Sequence, residues 1–432
     1  MIIELCLLML AANPWISIHH YQNLRHPYQK TYINLVTENT PADLTHLVYG
    51  FMPHWRGSFT PEINTDYLTH LAWFGIELDS GGGIQDSHGW PDDWDKLKRD
   101  VQGTGTRFDL AVTCFDWTGN KVHELLSIPE NRTRAIETIL TQSQGCDGVN
   151  IDFERPESAD KVLFADFIRE LADSLHTQGM EITVDVTAVN WGERLDAEAI
   201  ASAADYLFIM GYDYHYSRSS QSGPVAPLEG ETYNVTKSVD YYIEKTENRA
   251  DKIILGVPYY GYDWPTETKE PYSETEGTGT AYIYSSALSA GEVYGIEWHE
   301  ETSTPWYFYR EEDGFRQCWF DDTMSLALKY RLVKNRDLAG TGIWALTYDA
   351  GKNELWELIA EHFVTGDVEE KVIVKDTLDV AGISTRWKMK RFLRRNPEYE
   401  LYDIGGRILK KPERGVVFLK GCGTVKKVIL IR

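Results

Sequence analysis

Three acidic side chains within eight residues raise the question of chemistry in this chain. The stretch from Gly145 reads GCDGVNIDFERP and sets Asp147, Asp152 and Glu154 among Gly, Val, Ile and Phe, the composition of a buried strand. Alternate side chains of a strand share a face. Asn150, Asp152 and Glu154 therefore point one way, and Val149, Ile151 and Phe153 point the other, into packing. Neighbours on the acidic face stand about 6.6 Å apart. Carboxyls so close in a cleft repel, so at least one has a raised pKa and keeps its proton near neutrality. Such a proton is what a general acid needs. A solvated polar rim would show the same alternation, but here the set runs straight into Arg155–Pro156, where a strand ends.

A second group lies in DYLFIMGYDYH from Asp205. Met210, Tyr212 and Tyr214 share one face of a regular strand, with Gly211 and Asp213 on the other unless a twist at the strand end turns Asp213 inward. Trp344, in GTGIWALTYD, is an apolar plate, and Trp55, Trp117, Trp191 and Trp264 fall at other expected strand ends. Indole faces stack on the C–H faces of sugars while carboxylates pair with the hydroxyls. Many of the 14 Trp and 25 Tyr must nevertheless be core.

The elements that hold these groups are legible as eight short apolar runs. They begin at His46, His70, Phe108, Gly148, Glu181, Asp205, Ile253 and Gly340, and most are followed by a helical pattern. Between the fourth and fifth, ADKVLFADFIRELADSLHTQGM has apolar spacing of three and four, with Gly179 as its stop. Lys121 to Gln144 reads the same way. A strand–helix rhythm repeated eight times predicts an α/β fold, the (β/α)8 TIM barrel, with chemistry at the C-terminal ends of the strands. The first connection, Arg56 to Thr69, is short for a crossover helix.

The gap between the seventh and eighth runs is too long for a plain loop. In it WYFYRE and FRQCWF, separated by Glu312–Asp313–Gly314, read as a hairpin, so a small α+β insertion is expected above the barrel. The expected divisions are an N-terminal segment 1–45, strands one to seven over 46–264, the insertion and last barrel helix over 265–335, the eighth strand and closing helix over 336–370, and a small basic module over 371–432.

The chain of 432 residues has a net charge of -23, which disfavours nucleic acid as a partner. The charge is uneven: from Lys371 onward 16 Lys and Arg stand against 6 Asp and Glu. The 5 Cys form no CxxC pair. MIIELCLLMLAANP is apolar like a signal peptide but has no basic residue before Arg25. An extracellular or envelope location follows if it is a signal, a cytoplasmic one if it is not. No later run has the length of a membrane span. No Gly-rich phosphate loop appears, and none of the 12 His forms a spaced ligand set with Cys or Asp, so neither metal nor cofactor is expected. Oligomeric state is not legible.

DGVNIDFE, Asp147 to Glu154, resembles the DxxDxDxE signature of family 18 glycoside hydrolases, the chitinase family. MGYD at Met210–Asp213 is similar to the family's second signature, and GTGIWALTYD resembles its last strand. GFMPHW, YGYDW and PWYFYREEDGFRQCWFDD look closer to the branch that includes bacterial spore cell-wall hydrolases. The resemblance implies a retaining, substrate-assisted glycoside hydrolase acting on β-linked N-acetylglucosamine polymer, chitin-like or peptidoglycan. By position it implies Glu154 as general acid and base, Asp152 holding the acetamido nitrogen and Tyr212 its carbonyl oxygen. Asp213 helps place the sugar, Trp344 floors its subsite, and Met210, Asn150 and Trp264 complete the expected substrate-binding set.

Two departures stand out. The middle Asp of the signature is Asn150, so an amide stands where a carboxylate would share a proton with Asp152. The family's Ser-x-Gly-Gly on the third strand is replaced by Thr113–Cys114–Phe115–Asp116. Two alternatives stay open, an endo-β-N-acetylglucosaminidase on glycoprotein glycans and a non-catalytic, lectin-like carbohydrate-binding barrel. The tail, with KDTLDVA, RRNP and ILKKP, is faintly similar to a LysM module, while Trp387–Arg395 reads equally as a basic amphipathic helix that packs on the acidic barrel or touches an anionic polymer.

Overall fold

The computed structural model describes residues 18, 19, 22, 34–36, 42–58, 62–115, 120–154, 156–365, 371–372, 400–402, 415–421 and 424–430. Each of the eight apolar runs contains one strand: β1 (Leu47–Pro53), β2 (His70–Leu78), β3 (Arg107–Cys114), β4 (Gly148–Phe153), β5 (Glu181–Thr187), β6 (Tyr206–Met210), β7 (Ile253–Pro258) and β8 (Gly340–Trp344). Every neighbouring pair is parallel, and pairing of β8 with β1 closes the barrel. A parallel barrel is covered by its crossover helices, which is why these strands are buried almost throughout.

The helices follow from apolar spacing. Lys161–His176 buries Phe164, Phe167, Ile168, Leu171 and Leu175, one face of a helix, and Gly179 leaves it at φ +73, a conformation open to a residue without Cβ. Among the described residues, the β1–β2 connection holds 3-10 turns and a three-residue strand and no crossover helix, as its shortness predicts. Inside the barrel the ring of Phe208 fills space that two glycines leave open. A Cβ at Gly342 would stand 1.9 Å from Phe208 Cε2, and one at Gly256 2.4 Å from its Cε1. Phe51 meets the same ring edge-on at 5.0 Å.

Between β7 and β8 the chain forms a five-stranded antiparallel sheet with a helix at Tyr284–Tyr294. The expected hairpin is there, Thr304–Glu311 against Gly314–Trp319, with Glu311 opposite Gly314. Residues 1–362 and 363–432 form two compact units. In the second, the described strands make a four-stranded sheet that includes the hairpin Gly415–Gly421 and Thr424–Leu430. KDTLDVA and Trp387–Arg395, on which the LysM and basic-helix expectations rest, lie outside the described residues.

Candidate active site

The acidic run of β4 divides by position. Asp147, just before the strand, accepts hydrogen bonds at Oδ2 from the Phe108 backbone N–H (2.8 Å) and from Gln102 Nε2 (2.9 Å), tying the N-terminal ends of β3 and β4 together. Asn150, Asp152 and Glu154 lie further along and are all buried. Asn150 Nδ2 donates to Asp185 Oδ1 of β5 at 2.7 Å. The amide at the position of the signature's middle acid thus serves a neighbouring carboxyl. Carboxylate oxygens of Asp152 and Glu154 lie within 4.8 Å of one another and of a ring nitrogen of His19.

Burial raises the pKa of Asp152, and it raises that of Asp185 well above the ordinary range, with the charges of Asp152 and Glu154 pushing the same way. The expectation of a protonated carboxyl in this cluster rested on repulsion between neighbours. For Asp152 the cause is loss of water.

β6 ends at Met210, which is 8% exposed. The chain then turns, and Asp213 takes a left-handed φ of +60 that swings its carboxyl inward. Oδ1 accepts from the Tyr260 hydroxyl, and Oδ2 accepts from the Ile18 backbone N–H at 3.1 Å. Burial pushes Asp213 up to about 7, against the pull of those two bonds. Tyr212 is buried with its hydroxyl 2.8 Å from His19 Nε2. Tyr214, expected on the same face, instead meets Ser238 Oγ at 2.7 Å, because the strand has already ended.

Trp344 closes β8 as a buried plate, crossed edge-on by Phe74 at 4.9 Å. Trp264 departs from expectation. It belongs to the insertion strand Tyr260–Thr266, is wholly buried, and donates from Nε1 to the Tyr216 carbonyl at 3.2 Å, with Tyr262 5.4 Å away. A Cβ on Gly279 would stand 2.5 Å from its Nε1. The strand after β7 carries this indole into the packing of the insertion. Trp117 and Asp116 lie outside the described residues.

Four participants were missed by sequence reasoning: Asp185, Tyr260, His19 and Gln22. Asp185 had a signal, since alternation along EITVDVT puts it inside a strand that pairs with β4. His19 had none, because it stands 133 residues from Asp152. Its Nδ1 lies 2.8 Å from Asp152 Oδ2, its ring stacks on Trp344, and burial holds its pKa down to about 3 against the attraction of Glu154. This corrects the expectation that no His joins an acidic set. His19, Asp152 and Glu154 are of the types that hold a divalent transition metal. As placed, however, both imidazole nitrogens are engaged by Asp152 and Tyr212.

A closed parallel barrel whose C-terminal mouth gathers buried carboxyls, a tyrosine and an indole plate defines a (β/α)8 barrel with a polar and aromatic pocket at its strand ends. Within that class, the chain belongs to the Glycosyl hydrolases family 18, whose family model matches residues 16–349. It is similar to the Bacillus subtilis (strain 168) protein described as a sporulation-specific glycosylase, YdhD, at 34% identity over 237 residues, 52% of this chain and 53% of that protein. That likeness agrees with the spore-type features of the sequence. Di-N-acetylchitobiase of Mus musculus is 31% identical over 234 residues, 48% of this chain and 62% of that one. The chain thus spans little more than half the length of either relative. The Group IV chitinase of Ostrinia furnacalis, solved in complex with allosamidin, shares the fold at a TM-score of 0.64 and 21% identity, over 73% of this chain and 97% of that one.

Proposed function

We propose that the protein is a retaining, substrate-assisted glycoside hydrolase acting on β-linked N-acetylglucosamine polymer, with Glu154 as general acid and base. The observation that carries this reading is one pocket in which Asp152 and Tyr212 each lie 2.8 Å from the same planar five-membered ring, seated over Trp344, with a Glu154 oxygen within 4.8 Å. A pocket of that size and polarity fits the ring made from a sugar's 2-acetamido group.

Oxygens of Asp152 and Glu154 within 4.8 Å of one another support retention over inversion, which places its acids about 6.5–9.5 Å apart. Asp152, kept protonated by burial, is a poor nucleophile and a good partner for an amide. In the first step Glu154 gives its proton to the glycosidic oxygen. The C1–O bond breaks with its electron pair going to that oxygen, and the acetamido carbonyl oxygen bonds to C1. Asp152 holds the acetamido nitrogen and Tyr212 the carbonyl oxygen as the oxazolinium forms. In the second step the Glu154 carboxylate takes a proton from water, whose oxygen bonds to C1 while the oxazolinium ring reopens. The configuration at C1 is retained.

The relatives' names, a sporulation-specific glycosylase and a di-N-acetylchitobiase, support a substrate of this class. For this chain, chitin-like polymer and peptidoglycan are the substrates proposed. The test is mass-spectrometric product analysis of the protein and its Glu154→Gln form after incubation with chitin oligosaccharides and, separately, with purified peptidoglycan. New reducing N-acetylglucosamine ends that disappear with the substitution are expected. Oligosaccharide bound but never cut, at any pH, would instead make the chain a carbohydrate-binding barrel.

A further inference from the structure

We propose that the segment bearing Ile18, His19 and Gln22 is an internal ligand of the sugar pocket, with the His19 imidazole in the place of the acetamido-derived ring, so that the protein is latent while the segment is seated. The inference rests on the functional reading above and adds to it a competitor built into the chain.

Each of the three residues meets a group expected to bind sugar. The Ile18 backbone N–H donates to Asp213 Oδ2 at 3.1 Å. His19 stands between Asp152 and Tyr212, 2.8 Å from each, on the face of Trp344. Gln22 Oε1 accepts from Trp344 Nε1 at 3.1 Å and from the Tyr348 hydroxyl at 2.6 Å. Residues 18, 19 and 22 are helical, and all three are buried.

The chemistry of the ring is that of a mimic. In its Nδ1–H tautomer the imidazole donates to Asp152 and accepts at Nε2 from the Tyr212 hydroxyl. An oxazolinium presents the same pattern, with its N–H toward Asp152 and its oxygen toward Tyr212. Both are flat five-membered rings, and burial keeps His19 neutral, which preserves one donor and one acceptor. Ring centroids only 3.5 Å apart leave no space for a pyranose between His19 and Trp344. Sugar and segment therefore exclude one another. Apparent sugar affinity is reduced by the fraction of molecules in which the pocket is open.

Two measurements on the full chain test this. In the first, imidazoles are carbethoxylated with diethyl pyrocarbonate and read residue by residue by tandem mass spectrometry. His19 should react far more slowly than His123, which is 48% exposed, and should approach the rate of His123 at saturating tetra-N-acetylchitotetraose. Reaction of His19 at the rate of His123 without sugar would show that the segment is not seated, whatever the protein acts on. In the second, the dissociation constant for the tetrasaccharide is measured in Glu154→Gln protein, alone and combined with His19→Ala or Gln22→Ala. Each added substitution removes hydrogen bonds of the segment, so sugar should bind about tenfold more tightly. Binding that is unchanged or weaker in both would overturn the competition. A protected His19 with no sugar bound by any variant would bring down the functional reading, and the proposed competition with it.

Discussion

The imidazole of His19 lies on the indole of Trp344 with ring centroids 3.5 Å apart and planes inclined by 27°. The indole that should floor a sugar is thus already covered by a residue of the same chain, and its Nε1 is engaged by Gln22. Burial therefore means different things for the two tryptophans of the expected site. Trp344 is hidden by a segment whose groups match a ligand's, whereas Trp264 is hidden by its own insertion.

That difference predicts opposite outcomes. Trp264→Ala should cost about 3–5 kcal/mol of stability, the usual loss for a large buried aromatic. Tetra-N-acetylchitotetraose affinity of the molecules that remain folded should stay within about twofold, since Trp264 packs within the insertion. Trp344→Ala should weaken sugar binding by on the order of thirtyfold, as loss of a central aromatic anchor does. Chemical denaturation and calorimetric titration of both variants read the two effects, and a Trp264 variant that folds normally but loses the sugar would refute the assignment.

The seated segment should depend on pH with a definite sign. Burial lowers His19 to about 3 from 6.5, so the folded protein binds fewer protons at this site than the unfolded chain. The stability the seated imidazole contributes is complete above about pH 6.5 and drains away as pH falls toward 3. The gap in melting temperature between the protein and its His19→Ala form should be steady above neutrality and shrink on acidification. Asp213, raised to about 7, acts in the opposite direction, but it is common to both proteins. Proton NMR of the imidazole should show no titration near 6.5, and a normal titration there would contradict the buried placement.

Asn150→Asp restores the acid that the family signature leads one to expect, and it should be harmful here. The amide that donates to Asp185 would become a third carboxyl beside Asp152 and Asp185. Stability at neutral pH should fall by about 2–4 kcal/mol. The new carboxyl would have a raised pKa in the folded state, so the deficit should be small below about pH 4 and grow as pH rises. Urea denaturation at the two ends of that range decides it.

Asp147 belongs to the same signature but to the opposite end of the strand. Asp147→Ala removes the acceptor of the Phe108 N–H and of Gln102, and should cost about 1–3 kcal/mol. Because Asp147 contacts none of the pocket groups among the described residues, turnover per folded molecule should be unchanged. A fall in kcat without a fall in melting temperature would assign it a different role.

Local pattern determined a great deal of this protein. The period of two in GVNIDFE fixes which acids share a face, and eight apolar runs alternating with helical spacing specify a barrel, because parallel strands need covered crossovers. The alternation around Glu312–Asp313 specifies the insertion hairpin. These are short-range properties, carried by residues within one element.

The tertiary structure decided what no period encodes. Asp213 turns inward only because β6 stops at Met210 and the backbone adopts a positive φ. Asn150 finds its partner in a neighbouring strand, and Trp264 disappears into the insertion because the strand after β7 leaves the barrel. Above all, His19 and Gln22 reach Asp152, Tyr212 and Trp344 across 133, 193 and 322 residues of sequence. Such contacts depend on closure of the whole barrel, which brings distant backbone segments to one mouth. Sequence spacing carries no measure of that distance.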